Sequence, residues 1–181
     1  MKIKAFTLCA TVCTALAAHA EADKADKLTD AEMSVLAHVH HVDQMEIDAG
    51  KLAQKKGSTQ AVKAYGKMLV TDHSKNDKDV LALAKKHGEK VPADSMKMDK
   101  DEMDKLKNMK GADFDREFLR QMADGHDKEL AKIDDEVLRS SSDEMIKLLK
   151  DMKPVLQKHA DQARDLMKGN AQASLDLEKP E

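Results

Sequence analysis

The sequence predicts an all-α fold, a four-helix bundle with one long connection in its middle. Three observations carry this expectation. Charged residues make up 36% and aromatic residues 2% of the chain, and the abundance of Ala, Leu, Met and Lys favours helices over sheets. Four segments repeat apolar residues in steps of three and four. Two of the connections between them are only a few residues long and demand antiparallel neighbours, whereas residues 88–112 are enough to run the length of a bundle.

Each helix has readable limits. The first spans about Asp30 to Lys56, with Thr29 or Asp30 as N-cap and Gly57 as its stop. The second starts at Ser58 or Thr59 and ends at His87, before Gly88. A short helix is expected near Asp99 to Met109, after Pro92. The third long helix starts near Asp113 and reaches Arg139. The fourth is capped by Ser140, Ser141 and Ser142 and runs to Lys168, with Gly169 as the stop and a kink at Pro154. Bundles with one such long crossover are ferritin-like. The expected organisation is a bundle over residues 30–168, a flexible lead-in at 21–29 and a disordered tail at 169–181.

The N-terminus reads MKIKAFTLCATVCTALAAHAEADK. Lys2 and Lys4, an apolar run from Ala5 to Ala18 and Ala18-His19-Ala20 form the pattern of a signal peptide cleaved after Ala20. The run is too short to span a membrane, and a periplasmic or secreted location follows. Cys9 and Cys13 both lie inside this segment, so the processed chain has no thiol, disulfide or thiolate ligand. Processing removes two lysines and no acids, leaving a formal charge of −5. That balance gives no footprint for nucleic acid. A homo-oligomer is compatible with the sequence, which does not set one.

The core-facing traces are interrupted by polar residues. They run Val35, Val39, Val42, Glu46, Ala49 and Ala53 in the first helix. In the second they run Val62, Tyr65, Leu69, Asp72 with His73, Asn76, Val80 and Leu83. The third gives Phe118, Met122, His126, Glu129, Ile133 and Val137, and the fourth Met145, Leu148, Met152, Val155, His159, Gln162 and Leu166. Counted from the helix ends at about 1.5 Å per residue, Glu46, His73, His126 and His159 reach similar heights. Buried charges need a partner or a metal.

Two readings of this layer stay open. It is a hydrogen-bonded network that fixes helix register, or it holds iron, copper, manganese or zinc, all of which accept imidazole and carboxylate ligands. The metal set would be Glu46, Asp72, His73, His126, Glu129 and His159, with Asn76 as a supporting hydrogen-bond donor.

The stretches VDQMEIDAGKLAQKKGS, VKAYGKMLVTDHSKND, DFDREFLRQMADGH and MKPVLQKHADQARDLM, behind an export signal, resemble the bacterial family called domain of unknown function 4142 over residues 30–168. Asp72, His73, His126 and His159 match its pattern. The resemblance implies a ferritin-like bundle and no particular activity. The family is often labelled a predicted outer membrane protein, but the alternating strands of a barrel are absent here. The Glu-x-x-His motifs of di-iron bundles are also absent: Ala123 and Leu156 stand three residues before His126 and His159.

Two further motifs have simpler readings. HVHH, residues 38–41, points His38, His40 and His41 in different directions from a helix and reads as a solvated, weakly metal-binding surface. Met96, Met98 and Met103 in SMKMDKDEM are thioethers suited to copper(I), but in alternation with Lys and Asp they serve equally as gap fillers. No nucleophile stands in a catalytic setting. The functional expectation is an exported protein that binds a metal ion in this layer, in an envelope or stress role. A metal-dependent oxidase of iron or peroxide is the alternative, and a structural module with a register-setting layer is the third reading.

Overall fold

The computed structural model describes residues 27–91 and 100–177, and among these it has five helices and no strand. The expected signal segment, Pro92, Met96, Met98 and residues 178–181 lie outside the described residues. Helix α1 is Asp30–Lys56, α2 Gln60–Lys86, α3 Lys100–Asn108, α4 Gly111–Arg139 and α5 Asp143–Leu177. The caps are local chemistry. The Thr29 hydroxyl accepts from the Glu32 amide and the Glu32 carboxylate accepts from the Thr29 amide at 2.8 Å, the reciprocal box that satisfies two orphan donors. Thr59 accepts from the Val62 amide, and Ser142 from the Met145 amide.

The expected stop at Gly169 is overturned, since α5 continues unbroken through Pro154 and Gly169 to Leu177. A helical glycine costs only about 1 kcal/mol, and the following residues, NAQASLDL, are mostly good helix formers. No Pro follows Gly169 within α5 to end the helix. The expected face of α5 is also rotated. Val155 is 37% exposed, and the buried residues are Met145, Leu149, Leu156, His159, Ala160 and Ala163.

Two apolar clusters fix the topology. One joins Ala49 and Ala53 near the end of α1 to Val62 and Tyr65 near the start of α2. It also takes in Leu106 of α3, Phe114 and Phe118 near the start of α4, and Ala163 late in α5. The other joins Leu36, Val80, Ala84, Ile133 and Met145 from the opposite ends. Therefore α1 is antiparallel to α2 and α4, and parallel to α5. The chain from α2 to α4 must cross the whole bundle, as the length of residues 88–112 predicts. The layer between the two clusters is where the polar residues fall.

A buried carboxylate clamps a turn at each end. Asp115 of α4 accepts from the Ser58 amide at 2.9 Å and from its hydroxyl. Glu32 accepts from the amides of Ser141 and Ser142, both at 2.9 Å, besides its own cap. Burial pushes the Glu32 carboxyl up, but the Thr29, Ser142 and Ser141 hydrogen bonds together outweigh it and bring it down to about 2. A carboxyl held below its ordinary 4.5 contributes stability above that pH. The contribution is lost as pH falls from about 4.5 to about 2. Glu32→Gln is expected to cost about 2 kcal/mol at neutral pH, in the range of hydrogen bonds to a charged group. Its acid-unfolding curve should be flatter than wild type across that window, as read by circular dichroism.

Candidate metal centre

Four helices bring one layer together. His73 on α2, His126 on α4 and His159 on α5 have ring centroids 5.0, 5.2 and 5.6 Å apart, and each residue is at most 4% exposed. One nitrogen from each ring lies within 4.8 Å of the other two. Helix α1 supplies carboxylates, Asp43 at 1% and Glu46 at 8% exposed. Tyr65 donates its buried hydroxyl to the His159 carbonyl at 3.0 Å, tying α2 to α5 beside the rings.

The outer hydrogen bonds decide what the inner nitrogens can do. His126 Nδ1 lies 2.6 Å from the Met122 carbonyl, which can only accept, so Nδ1 carries the proton. His159 Nε2 is 3.0 Å from Asp72 Oδ2, and His73 Nδ1 is 2.7 Å from Asp43 Oδ1. Each ring thus gives one N–H outward to a carbonyl or carboxylate, the support that orients imidazole ligands in metal sites. The inner nitrogens are His126 Nε2, His159 Nδ1 and His73 Nε2. The first two face one another at 3.1 Å, and the third is buried with no hydrogen-bond partner. In neutral rings that contact sets two lone pairs against each other. A proton held between the two nitrogens or a bound cation would each resolve it.

The electrostatics agree for His159. Burial pushes its imidazole down, Asp72 partly offsets this, and the neighbouring His126 and His73 push it further, to about 4. It is neutral at pH 7, with its Nδ1 lone pair available. Burial lowers His73 too, but the Asp43 hydrogen bond and the charges of Glu46, Asp43 and Asp72 outweigh it, and its pKa rises. Asp43 is raised, chiefly by burial, against the pull of His73 and Asn76.

The six expected ligands separate into groups. His73, His126 and His159 converge. Asp72 sits behind His159 and is 31% exposed at its side chain. Glu46 Oε1 is 3.9 Å from His126 Nδ1, and its Oε2 is buried without a partner. Glu129 is turned away, accepting from His38 Nε2 at 2.8 Å and Lys132 Nζ at 3.0 Å. Asn76 donates to Asp43 Oδ2 at 2.8 Å and so supports His73 at one remove.

Asp43 is the residue that the sequence trace missed. It stands four residues after Val39 and three before Glu46, so the spacing allowed it, but the trace followed Val42 instead. The solvated reading of HVHH is corrected as well. His38 pairs with Glu129, and His40 Nδ1 meets Asp77 Oδ1, while Gln44 Nε2 donates to Asp77 Oδ2. These histidines join helices.

The model of the family described as "Domain of unknown function (DUF4142)" matches residues 17–166. The chain belongs to this family. No curated protein matches the sequence significantly. Among solved structures, the fold is similar to CopM in its Cu(I)-bound form, with 23% identity and a TM-score of 0.67 over 76% of this chain and 96% of that one. It is similar to CopM in an Ag-bound form at 22% identity and a TM-score of 0.64, over 76% of this chain and 96% of that chain. A DUF305 fragment from Deinococcus radiodurans shares 13% identity at a TM-score of 0.72, covering 78% of this chain and 98% of the fragment. At these identities the likeness concerns the fold. Among the described residues no helix is long and apolar enough to cross a membrane.

Proposed function

We propose that this DUF4142 chain is an exported protein that binds a copper-class metal ion, Cu(I), Cu(II) or Ag(I), at His73, His126 and His159. The carrying observation is the orientation of the three rings, each anchored by its outer N–H with the inner nitrogens left facing one another. His126 Nε2 and His159 Nδ1, 3.1 Å apart, would supply two nitrogen ligands to one ion. His73 Nε2, buried and without a hydrogen-bond partner, would supply the third. Three imidazoles without thiolate suit copper in either oxidation state, and the solved CopM structures carry Cu(I), Cu(II) and Ag. Asp43 and Asp72 would raise ligand basicity from behind, and Glu46 would offer the remaining charge. The N-terminal signal pattern supports an envelope location for this binding.

The supporting carboxylates give a test separate from the ligands. Asp72→Ala removes the anchor of His159 at a half-exposed position, where folding is least at stake. It should weaken silver(I) or copper(II) binding by about 10- to 100-fold with the far-ultraviolet spectrum unchanged. Equal affinity in variant and wild type, measured by competition with a chelator, would count against metal binding at these rings.

A further inference from the structure

Three clefts reach His73, and they differ in chemistry. The one between α1, α4 and α5 has a volume of about 420 Å³ and a mainly apolar lining that includes Val35, Leu149 and Met152. A second, of about 410 Å³, runs between α2 and α5 past Asp72. The third, of about 170 Å³, lies between α1, α3 and α4 and alone touches both His73 and His126. Its walls carry the thioethers of Met45, Met103 and Met122, and the carboxylate of Glu46. Glu46 Oε2, buried and without a partner, lines this cleft. More carboxylates than cationic side chains border it.

Gly125 also lines this cleft, one residue before His126, inside α4. Its backbone φ is not positive, so conformation does not require glycine. A Cβ built there meets only Glu46 Oε1, at 4.0 Å. Packing does not require glycine either. Gly50 and Gly66 are crowded by backbone within 2.7 Å, whereas Gly125, like Gly169 of α5, is not, and of these four only Gly125 lines the cleft. A mid-helix glycine costs about 1 kcal/mol relative to alanine, and here the visible consequence is open space beside an unpartnered carboxylate.

We propose that this cleft is the entrance by which a thiophilic cation reaches the three imidazoles, with Glu46 receiving it and Gly125 keeping the passage open. The inference rests on the metal-binding reading above. Thioethers and one buried carboxylate would receive such a cation on its way, and three nitrogen ligands stand beyond them. A larger side chain at position 125 fills the passage without removing a ligand.

The test is the kinetics of silver(I) uptake and release by the full protein, compared with Gly125→Leu and Gly125→Ala. Tyr65 is the only tyrosine in a chain without tryptophan, and its hydroxyl is bonded to the His159 backbone. Its fluorescence in rapid mixing therefore reports on the site. Gly125→Leu should slow uptake and release alike, on the order of tenfold, as when association waits for an opening motion, and leave the equilibrium affinity unchanged. Gly125→Ala, whose methyl meets no clash, should fold with raised stability and slow both rates by roughly twofold. It keeps the test valid if the leucine variant does not fold. Rates equal to wild type in the folded variants overturn the entrance and leave the metal site standing. A wild-type protein that takes up no silver overturns both.

Discussion

Replacing His126 and His159 together with leucine should leave a folded, helical protein that holds no copper or silver. The two rings supply the 3.1 Å pair of facing nitrogens, and both are at most 2% exposed, so leucine enters buried positions. Apolar replacement of both partners of a buried polar contact is often neutral or stabilising, and His73 keeps its hydrogen bond to Asp43. Asp72, left behind, is partly solvated. The variant should also lose an acid sensitivity of the wild type. Folded His159 takes up its proton near pH 4, against an ordinary 6.5. Below about 6.5 the unfolded chain therefore binds a proton that the folded chain refuses, and wild-type stability rises with pH between those values. Thermal melts of metal-free protein across this window should show a shallower slope in the double variant. A variant that binds as much metal as wild type would place the site elsewhere.

Gly66→Ala should destabilise the protein, although alanine is the better helix former. The Cβ built at Gly66 lies 2.7 Å from the Gly50 carbonyl oxygen and 2.8 Å from Ala53 Cβ, and the one built at Gly50 lies 2.6 Å from the Gly66 carbonyl. These are backbone contacts on both sides, so no side chain can swing away and α1 and α2 must separate. The gain of about 1 kcal/mol from removing a helical glycine is set against an overpacking cost of about 1–3 kcal/mol. A net loss of up to about 2 kcal/mol would lower the melting temperature by up to roughly 8 °C for a chain of this size. A melting temperature above wild type would show that the helices part at little cost. Because α1 and α2 carry Asp43 and His73, the same substitution should weaken metal binding.

Helix limits were legible where local chemistry settles them. Thr29 with Glu32 three residues later is a capping box readable from spacing, and the α1 range follows from it and Gly57. Gly169 carried no comparable information, since a glycine ends a helix only where the chain beyond cannot continue it. The convergence of the three rings was legible from heights along the helices, because rise per residue is fixed. Their supporting carboxylates were not. Asp43 and Val42 are adjacent and both satisfy a stepwise trace, and only the packing of α1 against α2 decides between them. Glu129 lies one turn from His126 and looked equivalent to it, but His38 on another helix captures it. Pairings between helices depend on rotation about each axis, which periodicity leaves uncertain by a residue.

The central claim is that His73, His126 and His159 form one metal site. The most direct measurement is a titration of the untagged, metal-free protein with silver(I), followed by removal of loose ion and elemental analysis, with proton NMR of the imidazoles recorded at each step. The account predicts one retained ion per chain and simultaneous shifts of three histidine signals, which the His126→Leu/His159→Leu protein does not show. Retained metal well below one per chain, or shifts confined to His38, His40 and His41, would contradict it and make the buried rings a network that sets helix register.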